Sequence, residues 1–206
     1  KGTVTLLADG ALGALTPEQT HGLQVAETAA EQLERVVEDV IDFNEVHGRP
    51  LDLEPVAVSE VCQSAIQTIL PRAQRRNIVV RLVVPAELPP VRADAVALTR
   101  ILRHLLDNAV KFSPTDGLVQ VLAERRGDKI RLAVQDHGPG ILPDERERIF
   151  MLFYQSDGSS TRRAGGMGLG LALVRKLLAA HGTVIELDTE LGHGSTFYFE
   201  LPLAAA

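Results

Sequence analysis

A single cysteine, Cys62, stands in a chain of 206 residues. One thiol cannot close an internal disulfide framework, and such sparing use suits a reducing compartment. Long apolar runs are missing as well. The best candidate for a membrane span, residues 169–180, is too short and is interrupted by Arg175 and Lys176. Positive charge is not in excess: the formal net charge of -6 argues against a chain-wide attraction to nucleic acid or anionic lipid. No signal-peptide pattern opens the chain, and it starts at Lys1 instead of Met. It is therefore expected to be a cytoplasmic piece of a longer protein, which leaves room for a membrane anchor elsewhere. Neither an internal repeat nor a low-complexity segment is found.

What is present is ordinary in bulk. With 45% hydrophobic and 23% charged residues, the chain can bury one sizeable core, or one domain plus a small appendage. Residues 1–19 read as the end of one helix, a glycine-bearing turn and the start of another. Thr16, Pro17 and Gln19 combine an N-cap, a proline at the first helical position and a capping-box glutamine. Leu23, Ala26, Ala30, Leu33, Val37, Val40 and Asn44 then recur at alternating steps of three and four, with Glu31 and Arg35 as an i,i+4 pair. That spacing is a heptad seam suited to packing on other helices; a helix lying on a globular core has the same signature.

Residues 47–58, HGRPLDLEPVAV, carry two prolines and mark the best boundary. Beyond it the pattern predicts a helix over 59–76, disturbed near Pro71, and a strand over 78–84. Asp94 is placed to cap a helix whose apolar face holds Leu98, Ile101, Leu102, Leu105, Leu106 and Ala109. Strands are expected at 118–123 and 129–135 around a turn at Gly127-Asp128, then a short helix over 144–150 and the polar loop QSDGSSTRRA. A glycine cluster with its helix follows, then strands at 183–188 and 195–201. The order predicts an α+β fold, a mixed sheet with helices packed on one face.

The glycine cluster, GGMGLGLALVRKLL, runs straight into a helical pattern. A dinucleotide fingerprint is a poor match: Leu171 replaces the third glycine, and a polar loop stands where a strand should lead in. No Walker A pattern occurs. Physically, a glycine-rich turn at a helix N-terminus presents unpaired N–H groups, a ready anion site; a flexible loop with a glycine stop has the same composition.

Two other stretches bear on this. In RILRHLLDNAVKFSP, Asn108, Lys111 and Phe112 share one face of the helix end. An amide oxygen suits Mg²⁺, a lysine suits a phosphate, and a phenylalanine ring could lie against a base. Singly, such residues are ordinarily solvated or in the core. In IRLAVQDHGPGI a strand ends at Asp136, and Gly138 and Gly140 let the backbone turn close to a flat ligand. A buried carboxylate there is acceptor-only, so it would welcome the exocyclic amine of adenine and repel the carbonyl oxygen of guanine. Alone, the stretch also reads as an Asp opening a hairpin turn.

Together the three stretches resemble the ATP-binding domain of sensor histidine kinases, in the superfamily shared with gyrase-type and chaperone-type ATPases. NAVKFSP resembles that family's N box, DHGPGI its G1 box, IFMLF its F box, GGMGLGL its G2 box and GHGSTF its last glycine box. The resemblance covers about three-quarters of the chain. It implies a two-layer α/β sandwich over 51–206 as the catalytic domain. Residues 1–50 would then be part of a helical hairpin for dimerisation and histidine phosphotransfer. It implies ATP and Mg²⁺ as cofactors, with Asn108 as metal ligand and Lys111 on phosphate. Phe112, Asp136, Gly138, Gly140 and Ile141 would form the base pocket. Residues 154–167 would form a mobile lid, with Phe150 and Phe153 at its hinge. Arg163, Gly166, Gly168, Leu169, Gly170 and Thr196 would complete the nucleotide site.

The resemblance also implies a histidine kinase that phosphorylates an imidazole for relay to a response-regulator receiver domain, and a homodimer built through the helical domain. Nucleic acid is not an expected partner. Some residues depart from the family pattern. The phosphoacceptor motif His-Glu/Asp-x-Arg-x-Pro is not present; His21 and His47 have other neighbours. This chain is thus expected to bind ATP without phosphorylating itself. His104 stands where kinases often carry Asn and gyrase-type relatives a Glu, which argues against an ATP-hydrolysing clamp. Gln155 follows the F box where many members carry Arg. A degenerate, nucleotide-holding regulatory module is the other alternative.

Overall fold

In the computed structural model, the described residues are 15–23, 25–26, 29–30, 33, 37, 41, 50–85, 87–155 and 167–204. The described residues between 17 and 41 are helical. That helix begins with the reciprocal capping box expected from its sequence: the Gln19 N–H donates to Thr16 Oγ1 at 3.2 Å, and the Thr16 N–H donates to Gln19 Oε1 at 2.9 Å. Of the seam, Val40 and Asn44 lie outside the described residues, as does the first helix of the expected hairpin. Leu33 and Val37 are 65% and 48% exposed, so the core formed by later elements does not cover this stripe.

That core is an α+β sandwich. A five-stranded sheet runs in the order β2 (Val79–Val83), β4 (Leu118–Arg126), β5 (Lys129–Asp136), β7 (Gly194–Pro202), β6 (Glu186–Glu190). The β2–β4 pair is parallel and the others are antiparallel, so the sheet is mixed. Helices α1 (Val58–Arg75), α2 (Ala95–Phe112) and α3 (Gly170–Ala180) form the second layer. Helix α2 lies centrally, against α1 on one side and α3 on the other, and over β4 and β5. Its Leu98, Ile101, Leu102, Leu105 and Leu106 are at most 1% exposed, and they meet Ile130, Leu132 and Phe199 of the sheet in one core.

Helix α1 continues through Pro71 without a break. Pro71 and Gln67, whose carbonyl loses its helical partner, both lie on the solvent face, where water can replace the missing bond. A small antiparallel sheet of β1 (Glu54–Val56) and β3 (Val91–Ala93) was not expected. It anchors Asp94, the α2 N-cap, whose carboxylate accepts from the N–H of Ala97 at 2.9 Å and of Asp52 at 3.0 Å. Burial pushes this carboxyl up, but the N–H groups of Ala97, Asp52 and Val96 outweigh it and hold it below the usual range. Its own N–H donates to His181 Nε2 at 3.2 Å; the other ring nitrogen lies 2.8 Å from the Leu177 carbonyl. A carbonyl only accepts, so Nδ1 carries the proton. The short helix expected over 144–150 forms only a 3-10 turn, Arg148–Phe150.

Candidate active site

Strand β5 ends at Asp136, which is 7% exposed at the rim of the core. Its carboxylate accepts from the Gly138 N–H at 2.8 Å. Burial raises its pKa above the ordinary carboxylate value; the N–H groups of Gly138 and Ser195 oppose that shift without cancelling it. The loop after it is pressed between two elements. At Gly138 a side-chain Cβ would stand 2.9 Å from the Phe112 carbonyl oxygen of α2. At Gly140, with φ of +73°, it would stand 2.3 Å from the Glu190 carbonyl oxygen. The Gly192 N–H donates to the Pro139 carbonyl at 2.8 Å and closes the second contact. Backbone packed this tightly admits no side chain, which is why both positions are glycine.

The end of α2 supplies the next wall. The Lys111 ammonium stands 4.7 Å from the Phe112 ring centroid, a cation–π contact beside the glycine loop. Asn108 is one turn back and half-buried. One further turn back, His104 is 7% exposed and faces the start of α3: a Cβ on Gly170 would meet its Nδ1 at 3.2 Å. So α2 meets the point where the glycine cluster becomes a helix through His104, and carries Asn108 and Lys111 on its following turns.

The F box divides. Phe150 is buried edge-on against Phe197, 6.3 Å between centroids at 81°. Phe153 is 66% exposed and has φ of +62°. Its N–H donates to the Gly168 carbonyl at 3.1 Å, which joins the two ends of the connecting segment. Leu169 is 4% exposed and precedes α3. Arg163 and Gly166 lie outside the described residues.

Thr196 stands on the opposite face of the sheet from Asp136. In β7 it pairs with Gln135 and Asp188 on the half-exposed sheet face. Its neighbour Ser195 pairs with Asp136 and is 6% exposed, so Ser195 supplies the hydroxyl on the Asp136 side. The signal was in the sequence: Ser195 shares its alternation with Phe197, Phe199 and Leu201. Two further residues were missed. Thr189 hydrogen-bonds Ile141 and Ser195. Arg76 donates to the carbonyls of Val110, Lys111 and Ser113.

No group of three His, Cys, Asp or Glu side chains among the described residues could cage a metal. Mg²⁺ needs no such cage when substrate phosphates and water fill most of its shell, and a single amide oxygen such as that of Asn108 fits this mode.

A family described as histidine kinase-, DNA gyrase B- and HSP90-like ATPases matches residues 93–205, the span that holds Asn108, Lys111, Asp136, the glycine loop and the start of α3. The chain belongs to that family. Its relatives include proteins named as histidine kinases. SenX3 of Mycobacterium tuberculosis is 33% identical over 205 residues, which cover 98% of this chain and 50% of SenX3. The structure of full-length ShkA in complex with AMPPNP is 34% identical with a TM-score of 0.74; the match covers all of this chain and 43% of ShkA. The histidine kinase ThkA, solved in complex with the response regulator protein TrrA, has a TM-score of 0.72 at 21% identity; the match covers 98% of this chain and 58% of that one, a likeness of fold alone. The chain therefore carries the ATPase domain of a sensor histidine kinase and spans half or less of the curated relatives' length.

Proposed function

We propose that this chain binds ATP and Mg²⁺ and donates the γ-phosphoryl group to a histidine imidazole. Residues 51–206 form the catalytic domain, and residues 1–50 belong to the dimerisation and phosphotransfer hairpin. The observation that carries this reading is the buried Asp136 carboxylate, framed by two glycines that admit no side chain and pressed by that loop against Phe112 at the end of α2.

Asp136 accepts a hydrogen bond from the exocyclic amine of adenine, while the glycine loop lies against the ring. Phe112 borders the base. Lys111 places a compact positive charge on the phosphates. Asn108 lends its amide oxygen to Mg²⁺, which supplies neutralisation of the charge on the phosphates. The N–H groups ahead of α3 add oriented dipoles without further charge. In the transfer, the bond from the γ-phosphorus to its bridging oxygen breaks, one to an imidazole nitrogen forms, and ADP leaves. The relay continues to an aspartate of a response regulator. The exposed seam at Leu33 and Val37 pairs with a second copy in a four-helix bundle. All of this takes place in the cytoplasm.

Calorimetric titration with AMPPNP and GMPPNP, with and without Mg²⁺, tests the reading. Metal-dependent binding that prefers the adenine nucleotide is expected. In Asn108→Ala the metal-dependent part of the affinity should vanish while the chain stays folded. A folded, unsubstituted chain that binds neither nucleotide would refute the assignment.

A further inference from the structure

The hydroxyl of Thr189, on β6, is held at three points. It accepts from the Ile141 N–H at 3.0 Å, donates to the Gly194 carbonyl at 3.0 Å, and lies 2.9 Å from Ser195 Oγ. A hydroxyl has one proton to give, and a carbonyl can only accept. The Thr189 proton is therefore committed to Gly194, and Ser195 must be the donor in the bond between the two hydroxyls. That commits the Ser195 proton too. What Ser195 Oγ leaves over is lone-pair character alone, on a residue that is paired with Asp136 and buried on the same face of the sheet. The same threonine fixes the far end of the glycine loop through Ile141, and its own carbonyl accepts from Arg146 Nη2 at 3.0 Å.

Resting on the nucleotide-binding reading above, we propose that Thr189 is a specificity-determining positioning residue. Its hydroxyl sets the direction of the Thr189–Ser195 hydrogen bond, so the recess beside Asp136 offers acceptors and no hydroxyl donor. A base edge that carries an amine, directly or through a water, finds partners there. A base edge with a carbonyl oxygen at that point meets only oxygen lone pairs. Without the Thr189 hydroxyl, Ser195 is released to turn and donate, and discrimination against the carbonyl is lost. Thr189 acts only through Ser195 and Ile141, with no contact to the base.

The test compares the whole chain with Thr189→Val, Thr189→Ala and Thr189→Ser, titrated with AMPPNP, GMPPNP and inorganic tripolyphosphate. The valine variant keeps the shape of the side chain; the alanine variant serves if the second methyl disturbs folding. Both should lose about tenfold in AMPPNP affinity, the scale set by one unsatisfied buried group. Tripolyphosphate affinity should be unchanged and the AMPPNP-to-GMPPNP ratio should fall. The serine variant, which retains the hydroxyl, should restore the ratio. An unchanged ratio in the folded valine and alanine variants, or equal losses for AMPPNP and tripolyphosphate, would overturn the proposal and leave nucleotide binding standing. An unsubstituted chain that takes tripolyphosphate but neither nucleotide would remove the nucleotide reading, and this proposal with it.

Discussion

Arg76 donates from Nη1 to the main-chain carbonyl of Lys111 at 2.7 Å, 35 positions away in the sequence. It also reaches the carbonyls of Val110 and of Ser113, the latter at 2.8 Å from Nη2. The last carbonyls of a helix have no partner within it and carry the negative end of its dipole. One guanidinium thus finishes α2 at the turn that presents Lys111 and Phe112, and ties it to the end of α1.

Arg76→Met should therefore destabilise the fold by about 2 kcal/mol, the scale of a charged group lost from partly buried acceptors. Arg76→Lys keeps the charge but not the fork of donors, and should fall between the two. Urea unfolding midpoints of the three chains decide this. Equal midpoints would mean that water replaces the guanidinium without loss.

Gly140→Ala brings a Cβ to within 2.3 Å of the Glu190 carbonyl oxygen, at a φ of +73°. The main chain on one side must move, and the expected loss exceeds about 2 kcal/mol. Gly127, at φ +65° with nothing within 4 Å of where a methyl would stand, isolates the conformational part alone. Gly127→Ala should cost only about 1 kcal/mol. Thermal or urea unfolding that gave the two variants the same loss would contradict the close packing of the glycine loop.

Asp136 gives a pH dependence whose sign can be worked out. Burial raises its pKa above 3.8 in the folded chain, so the folded state holds the proton more tightly than the unfolded state does. Its contribution to stability is full below the unfolded value and is lost as pH rises through the folded one. Asp136→Asn removes that titration. The melting temperature of the variant, measured relative to the unsubstituted chain, should climb as pH is raised from below 3.8 to neutrality. The same variant should lose its preference for AMPPNP, because an amide can turn its NH₂ toward a carbonyl. A difference in melting temperature that stayed flat with pH would show that the N–H groups of Gly138 and Ser195 fully offset burial.

The sequence by itself determined the elements and most of the candidate residues. Helix α2 could be read because its apolar residues recur with the helical period and Asp94 stands where a cap belongs, both local properties of the chain. The glycines at 138 and 140, and the end of a strand at Asp136, were likewise written into a few adjacent positions. Tertiary structure alone decided which groups meet. Nothing local pairs Gly140 with Glu190, Arg76 with Lys111, or Thr189 with Ile141; those contacts follow from the order in which the strands and helices pack. The β1–β3 pair could not be read because strands of three residues carry no measurable period. Thr196 and Ser195 show the same division within one strand. Both carry a hydroxyl, and the chain puts them side by side. Which of them faces Asp136 is fixed by register against β5, since a strand turns successive side chains to opposite faces.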